Sequence, residues 1–398
     1  MFERKQVNRL AKRINEKNNP LMQVVVGPRQ TGKSTMVAQA LAKTDRPYIF
    51  ISADDAIVPT PEWLQTEWQQ ARNMVDSTNK QAILAIDEIQ KIPNWSTVVK
   101  SLYDADRRNN TDLKIILSGS SSLLLHKGLE DSLMGRFELV RSPHWSLTEC
   151  EEAFGYDLES YLYFGGYPGA ARFADDEIRW ATYVRDAIIE PTISQDVLAL
   201  EDIRKPALMK SLFRLGATYS GQELSFNKML GQLQDAGNTV TLAHYLDLLE
   251  KAGMICGLQK FDAKELARKK SSPRLMVFDT ALMTAATGKS RATYESERDL
   301  RGHLVESAVG ARLIARSGDE GFTVLWWREG NAEVDFVITR GADVTAIEVK
   351  SGNETRQSGM TKFLQQFPNA KRIVVGGAAS GACTIEKFLR DEVPLFYA

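Results

Sequence analysis

The sequence predicts an α/β protein: a doubly wound parallel sheet at the N-terminal end, a helical, winged-helix-like middle, and a second, smaller α/β region. Three observations predict it. Short apolar runs, Val24 to Val26 and Ala82 to Ile86, alternate with helix-forming stretches, as in parallel strands covered on both faces. From Cys150 to about Asp262 the β-like runs give way to helical periodicity. After Glu333, two strand-like runs flank Arg340-Gly341-Ala342-Asp343, a hairpin signal.

The length, 398 residues, is enough for two to three domains at roughly 150 residues each. Hydrophobic residues make up 43% and charged residues 25%, and the formal net charge of -1 excludes a global polyanion-binding field, so a nucleic-acid surface would have to be local. Cys150, Cys256 and Cys383 are odd in number and far apart, which fits neither a disulfide framework nor a zinc ribbon. The basic N-terminus has no apolar core of a signal peptide, and no apolar run approaches the roughly 18 residues of a membrane span. A soluble, cytoplasmic protein with no membrane partner is the expectation.

In order along the chain, the first strand, Val24 to Val26, breaks into Gly27-Pro28-Arg29-Gln30-Thr31-Gly32-Lys33-Ser34-Thr35 and continues as a helix-forming stretch. This is G-x-x-x-x-G-K-[ST] between a strand and a helix, the setting in which it cradles phosphates. Gly27 and Gly32 let the backbone curl so that its N–H groups face phosphate oxygens, with the helix N-terminus behind them. Lys33 reaches the β and γ phosphates and Ser34 ligates Mg²⁺, which makes ATP with Mg²⁺ the expected ligand. Tyr48 to Ile51 is the next strand candidate. The apolar run Ala82 to Ile86 ends in Asp87-Glu88, where Asp87 would hold the Mg²⁺ shell and Glu88 would polarise the attacking water. Lys114 to Leu117 leads into Ser118-Gly119-Ser120-Ser121; Ser118 or Ser120 reads either as a γ-phosphate sensor or as a turn or helix cap. Arg136 reads either as a transition-state arginine, in the same or a neighbouring subunit of a homo-oligomer, or as a surface residue.

In the middle, LSFNKMLGQLQDAG and NTVTLAHYLDLLEKAGMI read as two short helices, the second capped by Asn238 or Thr239, with Val240, Ala243, Leu246 and Leu249 on one face. ICGLQKFDAKELARKKSSPRLMVFD would then be a two-stranded wing. A DNA-reading winged helix and a packing module both fit, because the second helix shows no basic stripe. Arg268-Lys269-Lys270 with Arg274 is the best local basic patch.

Towards the C-terminus, Val334 to Thr339 and Val344 to Val349 form the hairpin. Glu348 and Lys350, two apart, share a face, and the hairpin can bring Asp335 beside them. Upstream, RDLRGHLVESAVGARLIAR is a helix with Leu304, Ala308, Ala311 and Leu313 among its apolar residues and one isolated acid, Glu306. TKFLQQF and RIVVGG add a helix and a strand.

Together, GPRQTGKST, IDEIQKIPNW, SGSSSLLL, the MGR segment, FGGYPGA and EVDF…EVK resemble bacterial and archaeal AAA-type ATPases with a C-terminal DUF4143 domain, along nearly the whole chain. The resemblance implies a P-loop AAA-like core (1-150), a helical linker and winged-helix-like middle (151-265) and a nuclease-like end (266-398). Glu306 on a helix, Asp335 on a strand and Glu348-x-Lys350 on its neighbour resemble the PD-(D/E)XK, restriction-endonuclease-like fold. By that resemblance Asp335 and Glu348 would ligate Mg²⁺ or Mn²⁺, and Lys350 would orient the hydroxide or offset transition-state charge. Two functions follow: an ATPase that drives or gates processing of DNA, branched or single-stranded, and a regulatory or scaffolding ATPase whose C-terminal fold binds without cutting.

Overall fold

The computed structural model describes residues 2–17, 19–75, 81–119, 132–197, 203, 205–234, 237–262, 272–352 and 358–397. The chain divides into two compact units, Met1–Pro143 and His144–Ala398.

The first unit is a five-stranded sheet made of β1 (Met22–Val26), β2 (Tyr48–Ser52), β3 (Ala82–Asp87), β4 (Leu113–Ser118) and β5 (Phe137–Arg141). All are parallel, in the order β2-β3-β4-β1-β5. β1, β3 and β4 are buried at every position because both faces of the sheet are covered. Successive residues feed opposite cores: Val24, Val26, Leu84 and Ile86 join one cluster, Val25, Ile83 and Ala85 the other. Helices α1 (Lys5–Asn15) and α2 (Lys33–Leu41) build the latter core, α3 (Pro61–Asn73) and α4 (Trp95–Arg108) the former. Thr60 caps α3 ahead of Pro61, and the Trp68 indole N–H on α3 donates to Asp106 of α4 at 2.7 Å.

The second unit contains a six-stranded mixed sheet of β6 (Ile255–Lys260), β7 (Arg274–Val277), β8 (Thr323–Glu329), β9 (Ala332–Arg340), β10 (Asp343–Lys350) and β11 (Lys371–Gly376), in the order β11-β10-β9-β8-β6-β7. The expected boundary at 265/266 therefore falls inside one sheet: β6 pairs with β8 through Gln259↔Leu325 and Lys260↔Trp326. β6 and β7 do form the antiparallel pair expected of a wing, but Leu275, Met276 and Val277 are fully buried, so the pair is a sheet edge rather than a projecting ribbon. The basic run Arg268-Lys269-Lys270 lies outside the described residues.

Helices α5 (Phe226–Gln232) and α6 (Thr239–Lys251) occur where expected, and the Asn238 side chain caps α6 by accepting the Thr241 N–H at 2.9 Å. The buried face differs from the sequence reading. Leu242, Tyr245, Leu246 and Leu249 point inward, whereas Val240 is 74% exposed and Ala243 is exposed. A short amphipathic helix offers two overlapping i, i+3 stripes, and packing selects the one with the larger side chains. The long helix α7 (Arg298–Glu320) packs against β7, β8 and β10, and α8 (Ser358–Gln366) lies on β9.

Candidate functional site

Parallel register brings the C-terminal ends of β1, β3, β4 and β5 to one edge, where Val25 pairs with Ser118 and Val26 with Arg141. The loop from Gly27 to Gly32 crosses that edge. Gly27 (φ +158°) is needed for space: a Cβ there would sit 2.1 Å from the Ser142 carbonyl oxygen. Gln30 and Gly32 both take positive φ, 61° and 85°, which curls the loop into the start of α2. Lys33 is 6% exposed and donates to the carbonyls of Gly27 (2.9 Å) and Pro28 (2.6 Å). Thr31 is buried and donates to Pro28 at 3.1 Å; Ser34 and Thr35 open α2 on its exposed side.

Asp87 ties the edge together. One of its carboxylate oxygens accepts the Ser34 hydroxyl at 2.5 Å; the other accepts Ser118 at 2.6 Å and the Glu88 N–H at 3.0 Å. Ser118 is buried and its hydroxyl is held by Asp87; Ser120 lies outside the described residues. Glu88 takes left-handed backbone (φ 53°), strain of the kind that accumulates at working sites, and accepts a hydrogen bond from Gln90 at 2.6 Å. A hydroxyl and a buried carboxylate within 2.5 Å are a hard oxygen-donor pair, the chemistry a Mg²⁺ ion requires.

Arg136 does not join this edge. Its carbonyl accepts Met22 N–H at the opposite end of β1, roughly 15 Å of strand away, and its guanidinium grips Asp104 in a fork at 2.8 and 3.0 Å. In this arrangement its guanidinium does not reach the phosphate-loop edge of its own chain. Two residues not anticipated from sequence do join: Arg4, 3% exposed, donates to the Thr31 carbonyl (3.4 Å), the Ser142 hydroxyl (3.1 Å) and the Pro143 carbonyl (3.0 Å), clamping the loop to the chain that follows β5. No local motif marks them, because their partners lie 27 to 139 residues away.

In the second unit the four expected residues do converge. β9 and β10 pair through Ile347↔Phe336, and one step further Asp335 accepts the Val349 N–H at 2.7 Å. Glu348, 6% exposed, meets the Lys350 ammonium at 2.9 Å. Glu306, Asp335 and Lys350 border a cleft of about 820 Å³ that Arg298, Asp299 and His303 also line. Burial pushes the Glu306 carboxyl up to about 8, and raises Asp335 and Glu348 as well. The arrangement nevertheless departs from a cation site. Arg274, 3% exposed on β7, bonds Glu306, Glu333 (2.7 Å) and Asp335 (3.5 Å). Among the described residues no three acids, histidines or cysteines are grouped to hold a metal ion. The sequence reading placed Arg274 in a surface basic patch; it is instead the buried counter-ion of the acidic centre.

A family model described as an AAA domain matches residues 19–151, and models of domains of unknown function match 155–293 (DUF8612) and 301–383 (DUF4143). The chain carries an AAA domain and a DUF4143 domain. An uncharacterized protein of Haemophilus influenzae is 23% identical over 393 residues, covering 93% of this chain and 92% of its own. An uncharacterized protein of Mycobacterium tuberculosis is 27% identical over 333 residues, covering 82% and 69%. Among solved structures, the Aeropyrum pernix Orc1 protein in complex with DNA is 15% identical, with TM-score 0.30, covering 73% of this chain and 93% of that one. The AAA match holds the phosphate-loop edge apart from Arg4, and the DUF4143 match holds Glu306, Asp335, Glu348 and Lys350. Arg274 falls within the DUF8612 segment, so the acidic centre draws on two family segments. No helix among the described residues is long and apolar enough to cross a membrane.

Proposed function

We propose that the AAA domain binds and hydrolyses ATP with Mg²⁺, and that the cycle controls a C-terminal region that engages DNA without cutting it. The observation that carries the ATPase reading is the Ser34–Asp87–Ser118 chain of hydrogen bonds, at 2.5 and 2.6 Å, set beside a glycine loop whose curl is complete. Backbone N–H groups of the loop and the start of α2 receive the phosphate chain. Lys33 exchanges the loop carbonyls for phosphate oxygens, and its burial strengthens that interaction. Ser34 and Asp87 would hold Mg²⁺, which when bound neutralises charge building on the phosphates. Glu88, anchored by Gln90, orients and deprotonates the attacking water. Arg136 would serve only a neighbouring copy in a homo-oligomer, after releasing Asp104.

The non-cutting half of the reading is supported by Arg274, which draws one oxygen each of Glu306, Glu333 and Asp335 into an internal ion network. One observation favours the rival, a Mg²⁺- or Mn²⁺-dependent nuclease: the second oxygen of Glu348 is buried without a hydrogen-bond partner among the described residues, beside Lys350.

Phosphate release and DNA cleavage, measured together, separate these readings. The wild type should release phosphate from Mg²⁺-ATP, and Lys33→Ala and Glu88→Gln should each lose about 10²-fold or more in turnover. Labelled single-stranded, duplex and four-way-junction DNA should bind and stay intact with Mg²⁺ or Mn²⁺. Cleavage that Glu348→Ala abolishes would establish the nuclease instead, and unaltered turnover in Lys33→Ala would remove the ATPase.

A further inference from the structure

We infer that Arg274 takes the place of a divalent cation at the acidic centre of the second unit, so that the wild-type centre does not take up Mg²⁺ or Mn²⁺. The inference rests on the non-cutting reading above and names its cause. Arg274 stands at the start of β7, where Leu258 of β6 is its ladder partner; β7 packs against α7, and the Arg274 side chain reaches Glu333 and Asp335 of β9. Every face of the guanidinium is used. Nε donates to the Gly221 carbonyl at 2.8 Å; Nη1 donates to Glu333 at 2.7 Å and to the Asp335 carbonyl at 3.4 Å; Nη2 meets Glu306 and, at 3.5 Å, Asp335.

Three carboxylates on one cation is the stoichiometry of a metal centre, supplied here by a group that stays protonated at any working pH. A divalent ion binds carboxylate oxygens at about 2.0 to 2.6 Å and would compete with Arg274 for one oxygen each of Glu306 and Asp335. Two cations sharing them in a buried site would repel strongly. A second, independent observation marks what Arg274 leaves uncovered. Glu348, 6% exposed, carries one oxygen on Lys350 and the other without a partner among the described residues. Asp335 and Glu306 are held by the guanidinium, and the Glu348 oxygen is the acidic atom it does not engage.

The test is Mn²⁺ titration of the full-length chain without nucleotide, followed by electron paramagnetic resonance of free Mn²⁺, in a Ser34→Ala background that removes the phosphate-loop ligand. The Arg274-intact protein should show no saturable uptake at the second unit. Arg274→Met should gain apparent affinity by about a hundredfold or more, the scale of one desolvated charge interaction, and Asp335→Asn added to it should abolish the gain. Should Arg274→Met fail to fold by circular dichroism, Arg274→Met/Glu333→Gln, with one less uncompensated acid, is read in the same way. Uptake by the Arg274-intact protein that Asp335→Asn removes would overturn the inference, and so would a folded Arg274 variant that binds nothing. DNA cleavage by the wild type would sink the non-cutting reading. Mn²⁺ uptake without cleavage would sink the inference alone.

Discussion

Asp279 explains why the segment FGGYPGA contains two adjacent glycines. Its carboxylate, 3% exposed, accepts the Gly166 N–H at 2.8 Å and the Ala281 N–H at 2.9 Å. A Cβ on Gly165 would lie 2.0 Å from that carboxylate, and one on Gly166 would lie 2.3 Å from the Trp145 carbonyl. Burial raises the Asp279 carboxyl to about 7, the two N–H donors pulling the other way. An unfolded aspartate titrates near about 3.9, so between there and about 7 the folded chain keeps a proton that the unfolded chain has lost. This contribution is complete below the lower value and lost as pH rises through the upper one, on the order of 4 kcal/mol at most. Asp279→Ala should be less stable at acid pH, through loss of two buried bonds, and should lose less than the wild type between about pH 5 and about pH 7.5 in urea unfolding. Identical slopes in the two proteins would refute the assignment. The motif was legible in the sequence; its cause was not, since Gly166 and its partner lie 113 residues apart.

At the scale of elements, strands and helices were read from local pattern with small errors at their ends. Val334 to Thr339 lengthened to Ala332–Arg340, and Val344 to Val349 to Asp343–Lys350. What pattern could not supply was the partner of each face, hence the misplaced stripe on α6 and the wing that is a sheet edge. Two helix glycines show how far packing decides. A Cβ on Gly359 of α8 would lie 1.8 Å from the Glu333 carbonyl oxygen, fixed backbone on β9; one on Gly310 of α7 would meet the Met276 side chain at 2.6 Å, which can move, and the buried Phe336 ring at 2.9 Å. Gly359→Ala should therefore destabilise by about 3 kcal/mol. Gly310→Ala should cost less, about 1 to 2 kcal/mol, because side chains rather than backbone must give way and helix propensity offsets part of the crowding. Denaturation midpoints decide this, and equal shifts would contradict the close backbone approach at Gly359.

For the whole molecule, the net charge of -1 and ordinary composition anticipated only a globular chain without a general field for polyanions. The structure adds a division at Pro143 and His144 and a second unit whose sheet crosses the expected domain boundary. Nucleotide held at the first unit should stabilise the strands that carry its ligands, by about 2.7 kcal/mol at a hundredfold excess over Kd. Amide exchange over β1, β3 and β4 should slow on adding Mg²⁺ with a non-hydrolysable ATP analogue, and should not respond in Lys33→Ala. Equal protection in both proteins would mean that the loop does not grip the phosphates.

The sequence by itself determined the phosphate loop and the strand before it, the acid pair after β3, and the strand hairpin of the C-terminal part. Each depends on residues within a few positions of one another, where backbone periodicity is enough. Only the tertiary structure decided that Arg4 and Ser142 hold the loop, that Arg136 stands at the far end of the sheet from it, and that Arg274 fills the acidic centre. Those placements follow from strand order and helix packing across tens to hundreds of residues. Burial then turns them into chemistry, because a charge taken out of water must find its partner within the fold.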